Sequence, residues 1–180
     1  LSQGTFLPRI GYPLLAALPP MKIETALIHA VARQESEFNP RAVSSASARG
    51  LMQLLPQTAR NIAKSLRITY RRDRLFDARY NIRLGSAYLG QMVKKYRGSY
   101  IHALAAYNAG PKRVKRWLRQ NGDPRNGVID PIDWIELIPI TETRNYVQRV
   151  MENLQVYRWR LKPKLAILTL LQDLHRNDLP

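Results

Sequence analysis

The sequence predicts an all-α domain. Apolar residues recur at the three-to-four-residue spacing of helices through most of the chain. No stretch of useful length alternates apolar and polar residues, and no segment repeats at a fixed period. Apolar residues make up 45% of 180, enough for one good core and therefore one domain.

The elements follow in order. Residues 1–20 hold Gly4, Pro8, Gly11, Pro13, Pro19 and Pro20 and read as a linker or wrapping segment. A helix is expected from Met21 or Lys22, just past the proline pair, to about Glu37, because Asn39-Pro40 cannot continue it. "RAVSSASARG" (41–50) is a small-residue loop. "GLMQLLPQTARNIAKSL" (50–66) reads as helix, with Pro56 tolerated in a first turn. The polar loop "RITYRRDRLFD" (67–77) leads into a long amphipathic helix over 78–96, on which Ile82, Tyr88 or Leu89, and Met92–Val93 recur at helical spacing. Gly98 ends it. "SYIHALAAYN" (99–108) is the next helix, and Gly110-Pro111 separates it from "KRVKRWLRQ" (112–120), with Pro111 near the first position. After the loop "GDPRNG" (122–127), Asp130 is expected to cap a short helix with Pro131 at its first position. Thr141 is expected to cap the longest periodic run, 142–161, which lines up Tyr146, Val150, Leu154 and Tyr157. The helical body is thus drawn over 21–160, and the tail, 161–180, is a docked helix or an extended arm.

Charge narrows the partner. There are 29 Lys+Arg against 13 Asp+Glu, a net charge of +16, so a polyanionic partner is expected. The charge is spread along the chain, and the motifs of sequence-specific nucleic-acid binding are absent, so no specific nucleic acid is expected. No cysteine is present, which excludes disulfide frameworks and thiol chemistry. No apolar run approaches the ~18–20 residues of a membrane span. The chain begins at Leu1 and is read as a fragment or processed form, with any targeting segment upstream.

Against this basic background, "AVARQESEFNP" (30–40) places two glutamates at the end of an apolar run. On a helix Ile28, Val31 and Glu35 fall at i, i+3 and i+7, with Ala32 beside them, so Glu35 continues an apolar stripe. Glu37 lies about 200° further round and faces elsewhere. Burial disfavours the charged form of a carboxyl and raises its pKa, and a neutral carboxylic acid can donate a proton. The plainer alternative is an ion pair with Arg33 or with an arginine of another helix, Arg144 above all. No lysine or arginine occupies positions 31, 32, 38 or 39.

Five further stretches decide between these readings. "ESEFNPRA", "ARGLMQLLPQTA", "NIRLGSAYL", "AYNAGP" and "IPITETRNYV" occur in the order in which the soluble lytic transglycosylases carry their motifs. The chain resembles that family from about residue 21 to 160. The resemblance implies a goose-type lysozyme-like helical domain that cleaves peptidoglycan, in larger members preceded by a long helical region. It implies Glu35 as the single catalytic acid and base. It implies substrate contacts at Ser44, Gln53, Leu55, Tyr107 and Asn108, with Glu142 and Tyr146 supporting the site from the last long helix. Seen alone, Tyr107 and Tyr146 would be core aromatics and Glu142 a first-turn glutamate favoured by the helix dipole. Two positions depart from the pattern: Ser47 stands where a glycine is common, and Leu55 where methionine is common.

One carboxylate suffices for the reaction the resemblance implies. Glu35 protonates the bond between N-acetylmuramic acid and N-acetylglucosamine. The muramic acetamido oxygen stabilises C1, and Glu35 then deprotonates the C6 hydroxyl, which attacks C1 and leaves a 1,6-anhydro end. No cofactor or metal is called for, and His29, His102 and His175 form no metal-binding pair by spacing. The expected partner is the glycan strand of peptidoglycan, in the periplasm, with a peripheral association with the cell envelope. Two rivals on the same fold are a lysozyme-like hydrolase, which needs a second carboxylate, and a non-catalytic peptidoglycan-binding domain, which would not need Glu35.

Overall fold

The computed structural model describes residues 11–15, 22–165 and 167–177. Most of the expected linker therefore lies outside the described residues. Among those described, the elements are α1 (Thr25–Ser36), α2 (Pro56–Ser65), α3 (Ala78–Lys95), α4 (Tyr100–Ala109), α5 (Pro111–Asn121), α6 (Pro131–Glu136), α7 (Thr141–Leu161) and α8 (Leu170–Leu174). No strand forms among them. Two isolated antiparallel bridges, Val43 with Arg49 and Arg49 with Leu54, tie the loop between α1 and α2 to itself.

The hub is α4. Every residue from Tyr100 to Tyr107 on it is buried. A helix without a polar face is stable only when wrapped on all sides, and α3, α5 and α7 all pack on α4. The long helix α7 buries Tyr146, Val150, Leu154 and Tyr157, the expected stripe, and lies along α1. In contrast, α5 buries only Val114 and Trp117 on one edge.

Helix starts follow the anticipated chemistry where a proline or an acid directs them. Pro56, Pro111 and Pro131 each open a helix. Asp130 caps α6 by accepting from Ile132 N–H at 2.7 Å; Asp77, read as part of a polar loop, caps α3 through Tyr80 N–H at 2.8 Å. Three boundaries differ from expectation. Helix α1 starts at Thr25, behind Glu24, whose carboxylate is drawn to Arg158 at 2.5 Å instead of entering a helical turn. Residues 50–55 form turns, and helix begins only at Pro56. Thr141 is the first residue of α7 and caps nothing; Ile140 occupies the cap position without a side-chain bond.

The tail carries the short helix α8, whose buried Asp173 accepts from Gln155 Nε2 at 2.9 Å and pairs with Arg158. Arg158 thereby joins α7 to Glu24 ahead of α1 and to α8. No described helix is long and apolar enough to cross a membrane.

Candidate active site

Helix α1 ends at Ser36 because the next two residues turn left-handed: Glu37 has φ 49° and Phe38 φ 65°. Glu37 N–H closes the helix onto Arg33 O at 2.9 Å, and its side chain is exposed. Glu35 sits in the last turn, half-buried, on the side that faces α7. There Tyr146 O–H donates to Glu35 Oε1 at 2.7 Å.

Three effects set the proton affinity of Glu35. Burial pushes it up most, the Tyr146 hydrogen bond pulls it down, and the nearby negative charge of Glu142 pushes it up again. The outcome is a pKa raised from 4.5 to about 7. No arginine reverses this. Arg144 donates to Glu136 O and Ile138 O, both at 3.2 Å, and lies 3.9 Å from the Glu136 carboxylate. Arg33 lies over the Tyr12 ring at 4.1 Å and donates to Gly11 O. The ion-pair alternative for Glu35 is therefore not what the chain adopts.

Beside Glu35 the loop 49–54 is pinned from several helices. Ser36 Oγ donates to Leu51 O at 2.9 Å from α1. Tyr107 O–H donates to Met52 O at 2.7 Å from α4. From α3, Asn81 accepts from Met52 N–H at 2.8 Å and donates at 2.8 Å to both Arg49 O and Leu75 O. Buried backbone groups need such partners, and this loop has no helix or sheet to supply them. Gln53, at φ 42°, completes the set by donating from Nε2 to Ala42 O at 3.1 Å and Gly50 O at 2.8 Å.

Two glycines make the packing possible. Gly50 has φ 75°, and a Cβ there would come within 2.1 Å of Leu75 O and 2.4 Å of Asn81 Nδ2. A Cβ on Gly85 would meet Met52 Sδ at 2.5 Å, so α3 needs a bare backbone where Met52 lies against it.

The residues singled out from the sequence are thus partly convergent. Glu35 and Tyr146 touch; Gln53 and Tyr107 brace the adjoining loop; Glu142, exposed in the first turn of α7, acts on Glu35 through its charge. Asn108 Oδ1 accepts from Thr143 O–H at 2.6 Å, which ties the end of α4 to the start of α7. Ser44 Oγ accepts from Ala48 N–H at 3.1 Å and shapes the loop tip. Leu55 stands 45% exposed ahead of α2. Ser47 adopts φ 63°, the conformation a glycine takes without strain. Asn81 was not anticipated. Its signal was an amide side chain in a first helical turn beside the apolar face of α3, but two of its three partners lie about 30 residues away and leave no local trace. Two cavities, of about 690 Å³ between α1, α7 and α8 and about 490 Å³ beside α3, open elsewhere, and Glu35 lines neither.

A helical bundle that seats one glutamate with a raised pKa under a tyrosine, next to a loop clamped from three helices, has the parts an acid–base site would need. The family described as the transglycosylase SLT domain matches residues 16–128, and this chain belongs to it. The soluble lytic murein transglycosylase of Salmonella typhimurium is 39% identical over 142 residues, 78% of this chain and 21% of that protein. The 70 kDa soluble lytic transglycosylase from Escherichia coli superposes with a TM-score of 0.75 at 37% identity, over 87% of this chain and 25% of that one. An inactive glutamate-to-glutamine mutant of lytic transglycosylase Slt from Pseudomonas aeruginosa superposes with a TM-score of 0.71 at 39% identity, over 80% of this chain and 23% of its own. The fold is therefore lysozyme-like and all-α. The chain spans about a fifth of the length of the soluble lytic murein transglycosylases it matches.

Proposed function

We propose that this chain is a peptidoglycan lytic transglycosylase domain that works in the periplasm with Glu35 as its only proton-transfer group. The observation that carries the reading is the Glu35 carboxyl, buried under Tyr146 with its pKa raised to about 7. A group that must first give and then take a proton works best near ambient pH. Membership of the transglycosylase family and the inactive glutamate mutant of the Pseudomonas relative support the same assignment.

In the first step Glu35 gives its proton to the glycosidic oxygen, and the bond from that oxygen to C1 of N-acetylmuramic acid breaks. The N-acetylglucosamine portion leaves as an alcohol. The acetamido oxygen of the muramic residue bonds to C1 and takes up the positive charge. In the second step the Glu35 carboxylate takes the proton of the C6 hydroxyl. The C6 oxygen displaces the acetamido oxygen from C1, and a 1,6-anhydro ring remains. The nucleophile belongs to the substrate, so high effective molarity replaces a second enzyme carboxylate.

Tyr146 serves this cycle by holding Oε1 and easing the carboxylate half. Gln53, Tyr107 and Asn108 shape the wall beside the scissile bond. Ser44 and Leu55 contact the flanking sugars from the loop and the head of α2.

Glu142 motivates the one alternative, since its charge reaches Glu35 and a hydrolase requires a second carboxylate. Mass spectrometry of muropeptides released from purified sacculi separates the two. Products one water lighter than lysozyme products, ending in 1,6-anhydro sugar, are expected. A majority of reducing ends would establish the hydrolase instead.

A further inference from the structure

Thr143, 1% exposed in the first turn of α7, does not use its hydroxyl as helical threonines usually do. The common partner is the carbonyl one turn back on the same helix. Thr143 instead donates at 2.6 Å to Oδ1 of Asn108, 35 residues away at the end of α4. Asn108 is half-buried, and its Nδ2 has no partner among the described residues. An amide whose oxygen is anchored inward turns its two N–H donors outward. The flipped amide would set a donor against the hydroxyl and leave the hydroxyl proton in need of another acceptor. The Thr143 hydroxyl therefore decides which end of the Asn108 amide is presented.

What the amide faces follows from α7. Thr143 and Tyr146 lie three residues apart on one face, about 5–6 Å from each other at Cβ, and Tyr146 O–H holds Glu35. From α4, the neighbouring Tyr107 clamps Met52 O in the loop beside Glu35. The Asn108 donors thus open about one helical turn from the Glu35 carboxyl. Substrate chemistry supplies a reason to fix them. A sugar hydroxyl both donates and accepts, so either end of an amide serves it. The acetamido carbonyl oxygen of an N-acetyl sugar only accepts, and it needs the N–H end.

We propose that Thr143 is a positioning residue, which turns the Asn108 amide so that Nδ2 donates to the acetamido carbonyl oxygen of a sugar in the cleft. This rests on the function proposed above in taking a glycan as the ligand, but binding tests it without turnover. The parent for the assay is Glu35→Gln. To it are added Thr143→Val, Thr143→Ser, Asn108→Ala, Asn108→Asp, and Thr143→Val together with Asn108→Ala. Valine matches threonine in shape and lacks the hydroxyl, whereas serine keeps it. Thr143→Ala is measured alongside, so that the outcome does not depend on how valine packs at a buried position. Thermal melting verifies the fold of each variant.

Two probes are used: the β-1,4 hexamer of N-acetylglucosamine and its de-N-acetylated counterpart. Thr143→Val and Asn108→Ala are each expected to weaken binding of the acetylated hexamer about ten-fold, the range for one neutral hydrogen bond. Thr143→Ser is expected to restore it to within about two-fold of the parent. The double change is expected to bind no more weakly than Asn108→Ala alone, because Thr143 acts through Asn108. Asn108→Asp still accepts from Thr143 but offers no N–H, so it is expected to bind as weakly as Asn108→Ala. Thr143→Val and Asn108→Ala are expected to leave the affinity for the de-N-acetylated hexamer where it was. Additive losses in the double change would reduce Thr143 to packing between α4 and α7 and overturn the proposal. Parent-like binding by Asn108→Asp would reverse the sense of the bond and overturn it as well. So would equal losses on both hexamers, which would remove the acetamido oxygen as the acceptor. Hydrolytic products from the active enzyme, with this binding pattern intact, would overturn the proposed reaction and leave the role of Thr143 standing.

Discussion

Two faces of α1 treat a buried titratable group in opposite ways. Glu35 looks toward α7, and His29, six residues earlier and about 120° away round the helix, looks toward the segment 11–15. Burial is the largest cause of the shift at both, and it drives both toward the neutral form: Glu35 up to about 7, His29 down from 6.5. The consequences diverge because their partners differ. Glu35 has a single tyrosine hydroxyl on one oxygen and can gain or lose a proton without breaking the fold. His29 has both ring nitrogens committed, Nδ1 to Thr25 O at 2.8 Å and Nε2 to Leu15 N–H at 3.0 Å. One face of the helix leaves a proton free to move, and the other fixes it.

The contrast is broken first at Glu35. Glu35→Gln is expected to lower turnover of sacculi by about 10²–10⁴-fold, the range for losing a general acid–base group. Glu37→Gln, exposed and turned away at φ 49°, is expected to be neutral. The sign of the stability change is a second check. The folded protein holds a proton on Glu35 between pH 4.5 and about 7 that the unfolded chain has released, so the Glu35 contribution to stability falls as pH rises through that window. Glu35→Gln is therefore expected to be more stable than the parent above pH 7, on the order of 2 kcal/mol by denaturant melts. Equal stability at pH 8 would mean the carboxyl is not held in its neutral form.

Next in size is the pH profile. The reaction starts from protonated Glu35, so kcat/KM is expected to fall as pH climbs past about 7. Tyr146→Phe removes the one hydrogen bond that favours the carboxylate and leaves burial and Glu142 unopposed. The falling limb is expected to move to higher pH by about one unit. A shift to lower pH would mean that Tyr146 holds the protonated acid instead.

The two faces were not equally legible. Glu35 was readable because Ile28, Val31 and Glu35 share a local period, and Glu37 was readable as turned away for the same reason. The prolines at 56, 111 and 131 and the acid at 130 announced helix starts through chemistry confined to one turn. The loop 50–55 was not readable. Leu51, Leu54 and Leu55 imitate a helical period, yet Gly50 and Gln53 take positive φ because Asn81, Tyr107 and Ser36 hold the backbone from elsewhere. The pairing of Glu35 with Tyr146 spans 111 residues and became expected only through the family resemblance. The role of His29 left no sequence signal, since its partner Leu15 lies in a segment read as linker.

The smallest expected effect is at His29. Protonation would turn Nε2 into a donor facing the Leu15 N–H, also a donor, so the charged form cannot keep both bonds. Among the described residues the groups around it offer no compensating carboxylate: the Tyr157 ring is tilted against it at 5.1 Å, Phe38 lies at 6.5 Å, and Arg33 is one turn on. Its pKa is lowered, so the unfolded chain takes up a proton first as pH falls below 6.5. The His29 contribution to stability is full above that pH and declines below it. This slope runs against the Glu35 slope on the same helix, and the two oppose each other just below pH 6.5. His102, also lowered by burial, to about 3, adds to the acid loss, so global melting does not isolate His29. A local readout does. Amide exchange at Leu15 is expected to speed up as pH drops from 7 to 5, beyond its intrinsic pH dependence, by an amount worth on the order of 1 kcal/mol. In His29→Gln, whose amide accepts and donates without titrating, that excess is expected to disappear while the Glu35 titration stays where it was. If Leu15 protection is as pH-dependent in the glutamine variant as in the parent, the proton that releases the segment sits on another group.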